Sequence, residues 1–185
     1  MTSDTGSRAT HWVFGYGSLI WNPGFPHVGS HLGLLRGAHR SLSIVSHHHR
    51  GTLEQPGLVF GLARGGSCRG MAFEVDQRDW ADVRAYLEKR EQVTAVYRDV
   101  NRPVHLHDGR MVRALTFVID ERHAQFAGKL SLEQQLAMVR AGVGLSGRNV
   151  DYVRNTARHL QLLGIADRQV QLLADMLAAE AVAAA

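Results

Sequence analysis

Two features of this sequence carry residue types and spacing suited to chemistry: a loop with two glycines one residue apart near the N-terminus, and a glutamate seventy-odd residues later. In Val13-Phe14-Gly15-Tyr16-Gly17-Ser18-Leu19-Ile20-Trp21-Asn22-Pro23 an apolar strand start breaks into a Gly-x-Gly turn. Glycine has no Cβ, so backbone N–H groups in such a turn can approach an anionic or carbonyl oxygen closely. The phosphate-binding fingerprints are not met. No Lys-Ser/Thr follows the glycines, as a P-loop needs, and no third glycine stands at the spacing of a dinucleotide fold. A strand-end turn that uses glycine for positive φ accounts for the same letters.

The glutamate is Glu91. The run DQRDWADVRAYLEKRE, residues 76–91, reads as a helix with Asp76 as N-cap and Asp79 three residues on, a variant of the capping box. Trp80, Val83 and Leu87 define its core face, and Glu91, four residues past Leu87, lies on that face. Burial and the helix C-terminus both disfavour the carboxylate, so its pKa is expected above the usual value of about 4.3. A carboxyl so perturbed is a candidate proton shuttle. The competing expectations are a helix that frays before residue 91, or a surface pair of Glu91 with Arg84 or Arg90.

The elements that must position these residues are β-rich first and helical last. Strand-like runs are HWVFGY, RSLSIVS (40–46), LVFGLA (58–63), RGMAFEV (69–75), TAVYRDV (94–100), PVHLH (103–107) and RMVRALTFVID (110–120). Asp108-Gly109 is a strong hairpin signal. Many short, hairpin-linked strands favour a closed or nearly closed antiparallel sheet, with one helix inserted before Tyr97. After Asp120 the pattern turns helical. Ser131 and Gln134 form a capping box for LEQQLAMVRA, which Gly142 ends. GVGLSGRN leads into a helix that Gly164 stops, with Ser146 or Asn149 expected to satisfy open N–H groups at its start. Asp167 is placed as the cap of a last helix, whose terminal alanines are expected to fray.

Composition adds limits. The 185 residues suit one domain, read as 1–185 with tails at 1–11 and about 180–185. Residues 1–11 are polar, unlike a signal peptide, and no apolar run reaches the 18 residues of a membrane span, so no membrane partner is expected. The single cysteine, Cys68, excludes an internal disulfide and suits a reducing cytoplasm. As a nucleophile it lacks a partner base in the sequence. The net charge of +4 comes from scattered arginines rather than a basic run, which points away from nucleic acid, although a positive field helps capture any small anion. On strands, His47 with His49 and His105 with His107 would share faces, so a two-by-two metal site is geometrically conceivable; no Asp, Glu or Cys accompanies them, and no metal is expected.

The chain resembles the ChaC family of γ-glutamylcyclotransferases. The resemblance runs from Trp12 to about Leu163 through VFGYGSLIWNPGF, HRGTLEQPG (49–57), GGSCRGMAFEV (65–75), YLEKRE (86–91) with Tyr97 after it, DGRMVRALTFVID (108–120) and GLSGRNVDYV (144–153). Each motif alone is weak, and their order and spacing make the likeness specific. It implies an α+β, γ-glutamylcyclotransferase-like fold: a small, mostly antiparallel β-barrel with an inserted helix and C-terminal helices. It also implies action on glutathione, releasing 5-oxoproline and cysteinylglycine without metal or organic cofactor.

That chemistry needs few special residues. The substrate's α-amine attacks its own γ-carbonyl, so the nucleophile arrives with the substrate, and tethering is worth effective molarities on the order of 10⁵ M or more. The remaining task is proton traffic, which one carboxyl can handle by taking a proton from the α-ammonium and giving one to the leaving nitrogen. By the resemblance that group is Glu91, and the backbone amides around Tyr16, Gly17, Ser18 and Leu19 surround the glutamyl moiety as an N–H cradle. Arg50 is a plausible clamp for a substrate carboxylate, or a solvated strand-end arginine. Tyr97 and Tyr152 match tyrosines of the family pattern and could hydrogen-bond substrate or serve as half-buried core tyrosines. Two other functions stay open: a cyclotransferase for other γ-glutamyl peptides or γ-glutamylamines, and a non-catalytic regulator linked to cation transport.

Overall fold

A computed structural model describes residues 9–91 and 95–183. The first eight residues of the expected N-terminal tail, Thr94 of the expected strand 94–100, and the last two alanines lie outside the described residues. Five strands close into a barrel: β1 (Thr10–Gly15), β2 (Gly29–Ser46), β3 (Gly57–Asp76), β4 (Tyr97–Leu106) and β5 (Met111–Ile119), in the order β1-β3-β2-β4-β5. β1 starts inside the stretch read as a tail. Four of the pairings are antiparallel. The seam is parallel, with Trp12 opposite Ala114 and Val13 opposite Leu115, and Leu62 of β3 opposite Val118. The expected antiparallel sheet is therefore closed by a parallel joint.

Fewer and longer strands do the work of the short ones expected. Runs 58–63 and 69–75 are both parts of β3, which pairs with β2 along almost its whole length. The ladder shifts register between Arg36 and Ala38, where Gly37 (φ +84°) faces Gly65 and Gly66 (φ +90° and +70°). Left-handed glycines let both strands bend there without ending. Likewise, 94–100 and 103–107 merge into β4. Pro103 is opposite Arg113 of β5, and β2 covers β4 only at Val104–Leu106, so the proline sits where its missing N–H costs no ladder bond.

Helix α1 (Trp80–Glu91) starts four residues later than expected. Asp76 does not cap it: it ends β3, and its carboxylate accepts from the Arg78 N–H at 2.9 Å, while the Asp79 carbonyl takes the Val83 N–H. Val83 and Leu87 are 1% and 0% exposed, each worth about 1.5–3 kcal/mol of burial. Trp80 is only partly buried and stacks on His11 at 4.4 Å.

The helical layer is α2 (Leu132–Ala141), α3 (Asn149–Leu162) and α4 (Arg168–Ala183), which enters the stretch read as a C-terminal tail. Ser131 and Gln134 form the expected capping box, Gly142 is the C-cap, and Asp167 Oδ1 accepts from the Val170 N–H at the start of α4. A two-residue hairpin, β6 (Val143–Gly144) and β7 (Gly147–Arg148), precedes α3. Asn149 does not serve the helix N–H groups. Buried, it accepts from Leu58 N–H at 2.6 Å and donates to Leu58 O at 2.7 Å, acting as a one-residue strand partner that ties α3 to β3.

Candidate active site

A cavity of about 780 Å³ opens beside the loop that follows β1, and all eight residues singled out from sequence line it: Tyr16, Gly17, Ser18, Leu19, Arg50, Glu91, Tyr97 and Tyr152. The loop passes into a short turn of 3₁₀-helix, Ser18–Ile20, in which Ile20 N–H bonds Gly17 O. The first N–H groups of any such turn have no acceptor within it. Neither Gly15 nor Gly17 has positive φ, so the strand-end turn reading does not hold. Gly15 is needed for space: a Cβ there would lie 2.8 Å from Leu19 Cβ.

Glu91 reaches the cavity as the last residue of α1, carried on the face that Val83 and Leu87 bury. Its side chain is 17% exposed and pairs with Arg90 Nε at 3.3 Å. Of the two surface partners weighed, Arg84 instead binds Glu88 and Asp99. Arg90 forms its pair within the cavity wall. Burial pushes the Glu91 pKa above the ordinary carboxyl value, and the Arg90 guanidinium offsets only part of that. Arg90 is also a clamp on the glycine loop. Nη2 donates to Ser18 Oγ at 2.9 Å, and Nη1 to Asn22 O at 2.7 Å and Pro23 O at 3.1 Å.

The two tyrosines meet at one residue of β3. Tyr97 donates its hydroxyl to Phe60 O at 2.9 Å, whereas Tyr152 accepts from Phe60 N–H at 3.1 Å. Tyr97 thus keeps lone pairs to offer, and Tyr152 keeps its proton to give. Burial first, then neighbouring Tyr152 and Glu91, holds Tyr97 well above the usual phenol range; burial pushes Tyr152 up to about 12. Tyr16 is raised as well, by burial above all. All three are neutral phenols across the working range of proteins. Arg50 stands over the Tyr152 ring, 5.1 Å from its centroid, with Nη1 donating to Ser146 O at 2.5 Å.

The histidine pairs do not meet. His47, His48 and His49 line the cavity, but β4 joins β2 at Gly33–Leu35, so His105 pairs beside Leu34, far along the strand from His47. Among the described residues no three His, Cys, Asp or Glu side chains gather as a metal site. Cys68 lies outside the cavity wall, 3% exposed, its thiol pushed up to about 11 by burial. Residues that the sequence reading passed over include Trp21 at the cavity and Arg40 behind the loop. Arg40 had a signal: it stands two residues before Leu42 on one face of β2, both of them buried, before the bulge between Leu42 and Ile44 breaks the alternation.

A family model described as ChaC-like protein matches residues 11–180. The chain belongs to the ChaC family. Among ChaC relatives, the glutathione-specific γ-glutamylcyclotransferase of Escherichia coli K12 is 33% identical over 156 residues, covering 84% of this chain and 68% of the relative. The protein of that name in Schizosaccharomyces pombe is 30% identical over 181 residues, 87% of this chain and 88% of the other. In fold, this ChaC chain is similar to the crystal structure of a yeast γ-glutamyl cyclotransferase specific to glutathione, with a TM-score of 0.83 at 20% identity over 91% of this chain and 96% of that one. No helix among the described residues is long and apolar enough to cross a membrane.

Proposed function

We propose that this chain is a glutathione-specific γ-glutamylcyclotransferase, cleaving glutathione to 5-oxoproline and cysteinylglycine. The observation that carries the reading is a carboxyl with raised pKa sharing one cavity with the Tyr16–Leu19 main chain, Arg50 and two neutral phenols. The relatives that bear this activity in their names support it. Glutathione's α-ammonium docks against Glu91 and the free lone pairs of Tyr97. Glu91 takes a proton, the amine attacks the γ-carbonyl, and the five-membered ring closes. The tetrahedral oxygen and the α-carboxylate are met by amides of the glycine loop and by the Tyr152 hydroxyl, which still has a proton to donate. Glu91 then returns the proton to the cysteinyl nitrogen as the C–N bond breaks, takes the second proton from the ring nitrogen and passes it to the departing amine, which leaves as an ammonium, so the protein ends the cycle unchanged.

Arg50 supplies the carboxylate clamp, since among the described residues only Nη1 of its guanidinium is engaged by carbonyls, those of Ser146 and Arg148. The chain's own residues account for each proton, so the reading calls for no metal or organic cofactor, nucleic acid or membrane. A lone buried thiol and a glutathione substrate both suit a reducing compartment, and we place the protein in the cytoplasm. The test is 5-oxoproline release from glutathione, γ-glutamyl-alanine and γ-glutamyl-lysine. Glutathione is expected to be turned over fastest; preference for either other substrate moves the assignment within the family, and no turnover of any overturns it.

A further inference from the structure

The β1–β3 ladder ends at Gly15 opposite Met71, so the carbonyl of Tyr16, the next residue, has left its ladder. It is met from behind by Arg40, whose Nε donates to it at 2.6 Å. The other two nitrogens are engaged as tightly: Nη2 donates to Arg69 O and Nη1 to Asp167 Oδ2, both at 2.6 Å. The Arg40 side chain is 3% exposed and absent from the cavity wall. In a trans peptide the C=O and the following N–H point in opposite directions, and no described peptide is cis. Drawing the Tyr16 carbonyl back towards Arg40 therefore turns the Gly17 N–H the other way. The cavity is next to this peptide: Gly17 lines it, and a Cβ on Gly17 would stand 3.5 Å from Tyr152 Oη and 3.7 Å from Phe60 Cβ, two further lining residues.

We propose that Arg40, itself held by Asp167, is a positioning residue that aims the Gly17 amide into the cavity. A buried ion pair adds little stability over well-packed apolar residues. Here it fixes the plane of one peptide, and through Asp167, which also caps α4, it makes the first turn of the C-terminal helix part of the loop's support.

The kinetic arm rests on the cyclotransferase reading; the spectroscopic arm does not. The test compares wild type with Arg40→Lys, which keeps the charge but cannot reach three acceptors in the planar fork. Both are assayed on glutathione well below their Tm values and normalised to folded protein, and the Gly17 amide resonance is recorded by ¹H–¹⁵N NMR. A loss of about 10²-fold in kcat/KM per folded molecule, with a displaced Gly17 resonance, is expected. Wild-type kcat/KM per folded molecule, or an unmoved Gly17 resonance, overturns the proposal and leaves Arg40 a merely structural residue. If Arg40→Lys does not fold, Asp167→Asn, which can still cap α4, takes its place with an expected loss of about 10-fold and the same criterion for failure. A wild type inert on glutathione sinks the cyclotransferase reading alone, because the resonance still reports on Arg40.

Discussion

Of the carboxylates that stand beside an arginine in this molecule, Asp108 and Glu91 are perturbed in opposite directions. Asp108, in the tight turn between β4 and β5, accepts from Arg110 Nη2 at 2.7 Å and Nε at 2.9 Å, and these bonds hold its carboxyl below the usual range. Both partners are in water, 40% and 50% exposed. Glu91 has its arginine at 3.3 Å, yet its carboxyl is raised, because burial outweighs the pair. The arginine is common to both; the difference is solvation and the alignment of the hydrogen bonds. An ion pair drawn on paper between residues 90 and 91 therefore says nothing about whether the acid is available for proton transfer.

The strongest way to break this contrast is Glu91→Gln, which keeps shape and removes the proton. A fall in kcat of about 10³-fold is expected in steady-state assays of 5-oxoproline release. The same variant tests the sign of the shift. With a folded pKa above the unfolded one, wild type binds a proton more tightly when folded, so it loses stability as pH rises from the ordinary carboxyl pKa through the raised one. Glu91→Gln is accordingly expected to gain Tm over wild type at pH 8 and not at pH 4.

Arg90→Met comes next. It removes the opposing cation and the clamp on Ser18, so kcat/KM is expected to drop by about 10²-fold and its acid limb to move to higher pH. Arg90→Lys should restore the limb more than the rate. Tyr152→Phe deletes one donor and leaves the Phe60 N–H unpaired, with an expected loss of about 10-fold in kcat/KM. At the far end of the scale, Asp108→Asn is expected to leave kcat/KM as it is. Its depressed pKa contributes stability above the unfolded pKa that is lost as pH falls through the folded one, so wild type and Asp108→Asn should differ in Tm most near neutrality and converge in acid, by small amounts throughout.

What could be read in the residues was local. Glu91 follows Val83 and Leu87 at steps of four, and a helix puts them on one face whatever surrounds it. Asp108-Gly109 and the Ser131/Gln134 box likewise specify their own turns. Strand lengths were not legible, because Gly65-Gly66 and Pro103 punctuate a sequence without ending a strand when a bulge or an uncovered edge absorbs them. Asp76 was misread as a cap because its carboxylate is taken by the backbone and side chain of Arg78, in the turn between β3 and α1. Arg40 showed itself as a charge in step with Leu42, but its meaning depends on a carbonyl, a helix start and a neighbouring strand that only the closed barrel brings together.

One wall of the cavity is jointed by bare main chain. Leu145 and Ser146 donate to the carbonyls of His48 and His49, and a methyl group on Gly144 would collide with that same backbone at 2.5 Å. Gly142 is pressed as closely to Arg50 O, and Gly57 closer still. At these contacts main chain meets main chain, and the side chains that do cross the joint, His49 to Ser146 Oγ and Arg50 to Ser146 O, are themselves tied to it. Remodelling this pocket for bulkier γ-glutamyl compounds therefore starts better from Trp21 and Tyr86, lining residues outside that joint.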